Sequence, residues 1–102
     1  MQISLSKPPI WDEASKLFGV KESDPVWFTW DDCIFAPCKK MPPDYIIQHE
    51  EQHSEQQAGD PEVWWARYLR DAEFRAGQEA EAYGAQYRFF CTRTKDRERR
   101  FK

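Results

Sequence analysis

Ten consecutive polar residues, Gln48-His49-Glu50-Glu51-Gln52-His53-Ser54-Glu55-Gln56-Gln57, constrain this chain more than any other stretch. Pro42-Pro43-Asp44 ahead of them reads as a helix entry, with proline near the first turn and an acid at the positive end of the dipole. Gly59 reads as the stop, so a helix is expected from about Asp44 to about Ala58. After Ile47 such a helix has no apolar stripe. It must lie washed by solvent or dock through something other than hydrophobic burial.

The rest of the chain has the means to build a core. Its 102 residues are enough for one domain and too few for two. Sixteen per cent of them are aromatic, which gives a large buried area per residue. The expected division is a single domain over residues 1–92 and a basic, solvated tail over residues 93–102. A net charge of -3 offers no electrostatic footprint for nucleic acid. No membrane-length apolar run or signal-like opening is seen, and the three cysteines are a poor disulfide framework. A soluble, reduced, cytoplasmic protein is expected.

Gln2–Ser6 alternates like a short strand. Ile10, Trp11, Ala14, Leu17 and Phe18 share one helical face that Gly19 would end. Val26–Trp30 and Cys33–Ala36 are rich in strand formers around the turn signal Asp31-Asp32, which predicts a hairpin. Asp60-Pro61 should open a helix with apolar face Trp64, Trp65, Tyr68 and Leu69. Asp71 should cap a last helix reaching about Phe90. The order implies an α+β domain, a small antiparallel sheet packed against helices.

His49-Glu50-Glu51-Gln52-His53 is an H-E-x-x-H motif and holds both of the chain's histidines. Residues i and i+4 stack on one helical face, so both imidazoles can reach one metal ion. Glu50 stands beside them, placed to take a proton from water bound to that ion. A catalytic zinc keeps three protein ligands and one open position. On a helical wheel the last helix shows an apolar arc of Ala72, Ala76, Ala80, Tyr83, Tyr87 and Phe90, then Ala82, Phe89, Ala85 and Phe74, and Glu79 projects from its middle, next to Phe90 and Ala72. A carboxylate on a core-facing stripe is costly unless paired or metal-bound, which makes Glu79 the expected third ligand. A salt bridge to Arg75 is its alternative.

His49-Glu50-x-x-His53 followed by Glu79-Ala80-Glu81-Ala82-Tyr83 resembles the gluzincin metallopeptidases. The short chain, the hairpin before the motif helix and the run His53-x-x-Gln56 are most similar to the minimal gluzincins of prokaryotes and phages. The resemblance covers roughly Val26 to Phe90. It implies a zincin-like fold, Zn2+ as cofactor, Glu50 as general base and acid, and a peptide or protein substrate. It also implies that one hairpin strand is a sheet edge able to pair with an extended peptide. Where many relatives carry an aspartate that orients a ligand histidine, this chain has Tyr83. Its phenol could orient an imidazole, donate to the developing oxyanion or simply be a core aromatic, with Tyr68 and Tyr87 as rival donors. A different class of function is a zinc-stabilised interaction domain without turnover, with Cys38 or Glu55 as fourth ligand. A third is a metal-free helical adaptor with an accidental motif.

Overall fold

The computed structural model describes the backbone of residues 1–100 and the side chains of residues 1–92. In chain order the elements are β1 (Gln2–Ser4), α1 (Trp11–Phe18), β2 (Phe28–Trp30), β3 (Cys33–Phe35), α2 (Asp44–Gln57), α3 (Pro61–Arg70) and α4 (Ala72–Arg100). Among the described residues this is an α+β fold of four helices and one small sheet. None of the described helices is long and apolar enough to cross a membrane.

Local signals fix the element ends. Asp31 takes φ 54°, and β2 and β3 pair antiparallel around it with Thr29 opposite Ile34. The Asp60 carboxylate accepts from the Val63 N–H at 3.3 Å, with Pro61 at the first helical position, and so opens α3. Asp71 does the same for α4, accepting from the Phe74 N–H at 3.0 Å. Gly19 ends α1 in the left-handed region. At the end of α2 that conformation falls on Ala58 (φ 50°) as well as on Gly59.

Two expectations need correcting. The sheet is mixed, because β1 pairs parallel to β3 and the strand order is β1-β3-β2. The chain passes through α1 before returning as β2, which leaves β1 to fill the far side of β3. That makes β3 central and fully buries Ile34. The last helix does not stop near Phe90 but continues to Arg100, and no glycine or proline interrupts that stretch. The side chains of the basic run 93–102 lie outside the described residues.

The core gathers Ala14, Phe28, Trp64 and Trp65, with Trp11, Tyr68 and Phe74 packed against it. Trp11 meets Phe28 edge to face, and Trp64 meets Trp65 likewise. Each large side chain buried in this way contributes about 2–3 kcal/mol. The cluster anchors α3 beneath the sheet and leaves α2 between β2 and α4. His49, Glu50, His53 and Gln57 form the buried face of α2, so the polar helix is neither solvent-washed nor conventionally packed.

Candidate metal centre

Spacing along α2 turns four polar side chains inward, and hydrogen bonds replace the missing apolar stripe. The Gln57 amide donates to the Thr29 carbonyl at 2.8 Å, and its oxygen accepts from the Asp31 N–H at 2.7 Å. It therefore acts like one residue of an extra strand on the outer edge of β2. Trp65 Nε1 donates to the same Thr29 carbonyl at 2.8 Å. These edge groups at Thr29 and Asp31 are taken by the protein itself, so the edge expected to receive a peptide is closed there.

One turn earlier sits the motif. His49, Glu50 and His53 are 8%, 5% and 6% exposed. Each offers a ligand atom within 4.8 Å of the others. The tighter triangle has Glu79, from α4, in place of Glu50. His49 Nε2 lies 3.2 Å from His53 Nε2, and Glu79 Oε1 lies 3.3 Å from the first and 2.5 Å from the second. Around a tetrahedral zinc with bonds of about 2.0–2.1 Å, neighbouring ligand atoms stand about 3.3 Å apart. Two edges match that spacing, and the third is drawn in to hydrogen-bond length. Two imidazoles and one carboxylate form a donor set that zinc adopts with a fourth position open, so these residues fit the ion.

The outer nitrogen of each ring is held by a glutamine. His49 Nδ1 lies 3.0 Å from Gln86 Oε1, and His53 Nδ1 lies 2.8 Å from Gln56 Oε1. Once the rings are neutral and an ion is bound, Nδ1–H donation to a carboxamide oxygen would leave each Nε2 lone pair free for it. Gln56 is fixed in turn by donating to the Gln78 carbonyl at 3.0 Å. Sequence reasoning missed the orienting role of both glutamines. Gln86 is seven residues beyond Glu79 on the same face of α4, and that spacing was the available signal.

Glu50 faces the opposite wall. Thr29 Oγ1 lies 3.2 Å from its Oε2 and 3.1 Å from its backbone carbonyl. Burial pushes the Glu50 carboxyl up to about 7, against the charges of His53 and His49. Burial would also raise Glu79, but hydrogen bonds from His49 and His53 prevail and hold it at about 2. His53 moves upward: burial opposes this, and its hydrogen bond to Glu79 with the Glu50 charge outweighs burial.

The other candidates separate clearly. The Arg75 guanidinium donates to the Tyr68 carbonyl at 2.7 Å, so the side chain bonds to α3 rather than pairing with Glu79. Tyr68 and Tyr83 both line a cavity of 340 Å³ that contains His49, Glu50, His53 and Glu79. Burial holds the Tyr68 phenol far above its ordinary value, so it stays an O–H donor. Tyr83 packs edge-on against His49 with ring centroids 4.6 Å apart. It is an exposed residue rather than a core aromatic, and Gln86 fills the orienting role considered for it. Tyr87 is absent from the cavity lining. Glu55 is exposed on the outer side of α2, and Cys38 is a half-buried free thiol; neither belongs to the metal-ligand cluster.

The structure turns Glu79 toward α2, as the wheel expected, but it splits the wheel's apolar arc. Of that arc Ala72, Ala76, Ala80, Tyr83, Tyr87 and Phe90 are exposed, whereas Ala82 is buried and Phe74, Ala85 and Phe89 are half-buried. The inward face is Gln78, Glu79, Ala82 and Gln86, because its partner α2 is polar and hydrogen-bonds to it. No family model, no curated protein and no solved structure matches this chain, so its residues alone carry the functional reading.

Proposed function

We propose that this chain is a zinc metallopeptidase in which His49, His53 and Glu79 hold the ion and Glu50 moves the proton. The observation that supports it best is the meeting of Glu79 Oε1 with both Nε2 atoms, with the buried Glu50 carboxyl alongside. A zinc ion held there lowers the pKa of water from about 15.7 to about 7 and polarises a carbonyl.

The chain's own groups do the rest. Glu50 takes one proton as the water oxygen bonds to the carbonyl carbon. It returns that proton to the amine nitrogen as the C–N bond breaks; the second water proton leaves the new carboxyl for the amine, so a carboxylate and an ammonium group are released. Buried beside both histidines, the Glu50 carboxyl stands where it can first accept a proton and then donate it. Thr29 fixes the carboxyl, and the two glutamines fix the imidazoles. Tyr68 and Tyr83 line the same cavity as candidate donors to the oxygen that gains charge.

Glu50→Gln tests this reading. The variant should keep zinc and lose hydrolysis of a peptide library by at least about 100-fold, as befits removal of a general base. Parent-like cleavage would sink the mechanism.

One observation favours a second reading, a zinc-tied interaction domain without turnover. Glu50 lies within the same 4.8 Å cluster as the histidines and could serve as a fourth ligand, closing the site. On that reading Glu50→Gln weakens zinc binding instead of sparing it.

A further inference from the structure

The outward stripe of α4 does not end at the metal centre. Tyr45, one turn before His49 on α2, joins Tyr83, Tyr87 and Phe90 to line a second cavity of 570 Å³. These rings are 42%, 59%, 68% and 59% exposed, which is costly to maintain on a small domain without a use for the surface. Tyr83 and Gln86 line both cavities, so the aromatic groove continues directly from the metal centre. None of the described lining side chains is charged, and Gln86, the one amide among them, is already committed to His49.

We infer that this groove is a substrate subsite that takes an apolar side chain, preferably aromatic, from an extended peptide running past the metal centre. The inference rests on the peptidase reading above and narrows it to a substrate class. Tyr83 to Phe90 is seven residues of helix, about 10 Å at 1.5 Å per residue, which an extended peptide covers in about three residues. The preferred side chain therefore sits two or three residues from the bond that is cut, all on one side of it. Charged side chains are disfavoured there, because the described lining offers no opposite charge and its rings cost them hydration. A second copy of the chain is the weaker occupant. The 3–4 spacing of Ala76, Ala80, Tyr83, Tyr87 and Phe90 spans only two heptads, and a self-pairing seam needs about three to four.

The test is digestion of a random-sequence peptide library by zinc-loaded protein, with cleavage sites read by mass spectrometry. The parent should enrich Phe, Tyr, Trp and Leu at the second or third position on one side by at least about threefold, and deplete Asp and Glu there. Tyr87→Ser with Phe90→Ser should erase that enrichment, keep the zinc and still cut peptides lacking an apolar residue at that position at the parent rate. An enrichment missing in the parent, or surviving in the double variant, overturns the subsite and leaves the peptidase intact. If the parent cuts nothing, the peptidase reading fails. The subsite is then judged by binding of fluorescent Phe-containing peptides to zinc-loaded Glu50→Gln protein. A loss of about tenfold or more on adding the two serine changes upholds it, and equal affinity overturns it. A parent dimer dissolved by the same two changes would also overturn it, by assigning the groove to a second copy.

Discussion

Glu79 Oε1 approaches His53 Nε2 to 2.5 Å while staying 3.3 Å from His49 Nε2, so one carboxylate oxygen bridges both rings of the α2 motif. This contact ties α4 to α2 across faces that are mostly polar. Replacing Glu79 by Gln keeps the shape and removes the charge. Zinc affinity should fall by more than the 10–100-fold typical of outer-shell changes, since this is a proposed ligand itself. Competition against a chromophoric chelator measures it, and unchanged affinity would remove Glu79 from the ligand set.

Gln86→Leu and Gln56→Leu should each weaken zinc by about 10–100-fold while the fold survives. Each change frees a ring nitrogen and lets the imidazole turn, but leaves Nε2 available. Circular dichroism alongside the zinc titration separates this from unfolding. Glutamate at either position should restore most of the affinity, because a carboxylate accepts the same Nδ1–H.

Stability of the chelated protein should depend on pH in a direction set by three groups. Glu50 rises from its ordinary 4.5 to about 7, so its contribution is complete below about 4.5 and is lost as pH climbs through 7. His53, raised above 6.5, likewise stabilises below that value and stops doing so above its folded pKa. Glu79, lowered to about 2, contributes above about 4.5 and fails only as pH falls toward 2. At about 1.4 kcal/mol per pH unit, Glu50 alone removes roughly 3 kcal/mol between pH 4.5 and pH 8. Zinc requires neutral imidazoles, so the stabilisation it adds should be larger at pH 8 than at pH 5. Thermal unfolding with chelator and with zinc at the two pH values checks both directions. A chelated protein more stable at pH 8 than at pH 5 would contradict the upward shift of the Glu50 carboxyl.

Gln57→Leu should destabilise by about 1–3 kcal/mol in urea unfolding. It strips the Asp31 N–H of its acceptor and the Thr29 carbonyl of one donor, at a nearly fully buried position. Trp65 still serves Thr29, which keeps the loss moderate. A neutral result would mean that α2 does not brace the strand edge.

Much of the site was legible because its signals are local. The i, i+4 histidines, the Asp60 and Asp71 caps and the Asp31-Asp32 turn each depend on a few neighbouring residues. What failed depended on partners distant in the chain. The parallel place of β1 beside β3 cannot be read from a three-residue strand, since alternation carries no direction. The wheel oriented α4 by its apolar arc, yet this helix packs against a polar partner and turns much of that arc outward, keeping Ala82 buried. Gln56 and Gln86 escaped because glutamine is an ordinary helix-surface residue until its side chain meets a ring nitrogen.

X-ray absorption of the zinc-loaded protein tests the central claim most directly. The account predicts one ion per chain with two imidazole nitrogens and oxygen donors at about 2.0–2.2 Å, and a donor changed in the Glu79→Gln variant. A sulfur shell at about 2.3 Å, an unaltered spectrum in that variant, or a purified protein that holds no zinc would contradict it.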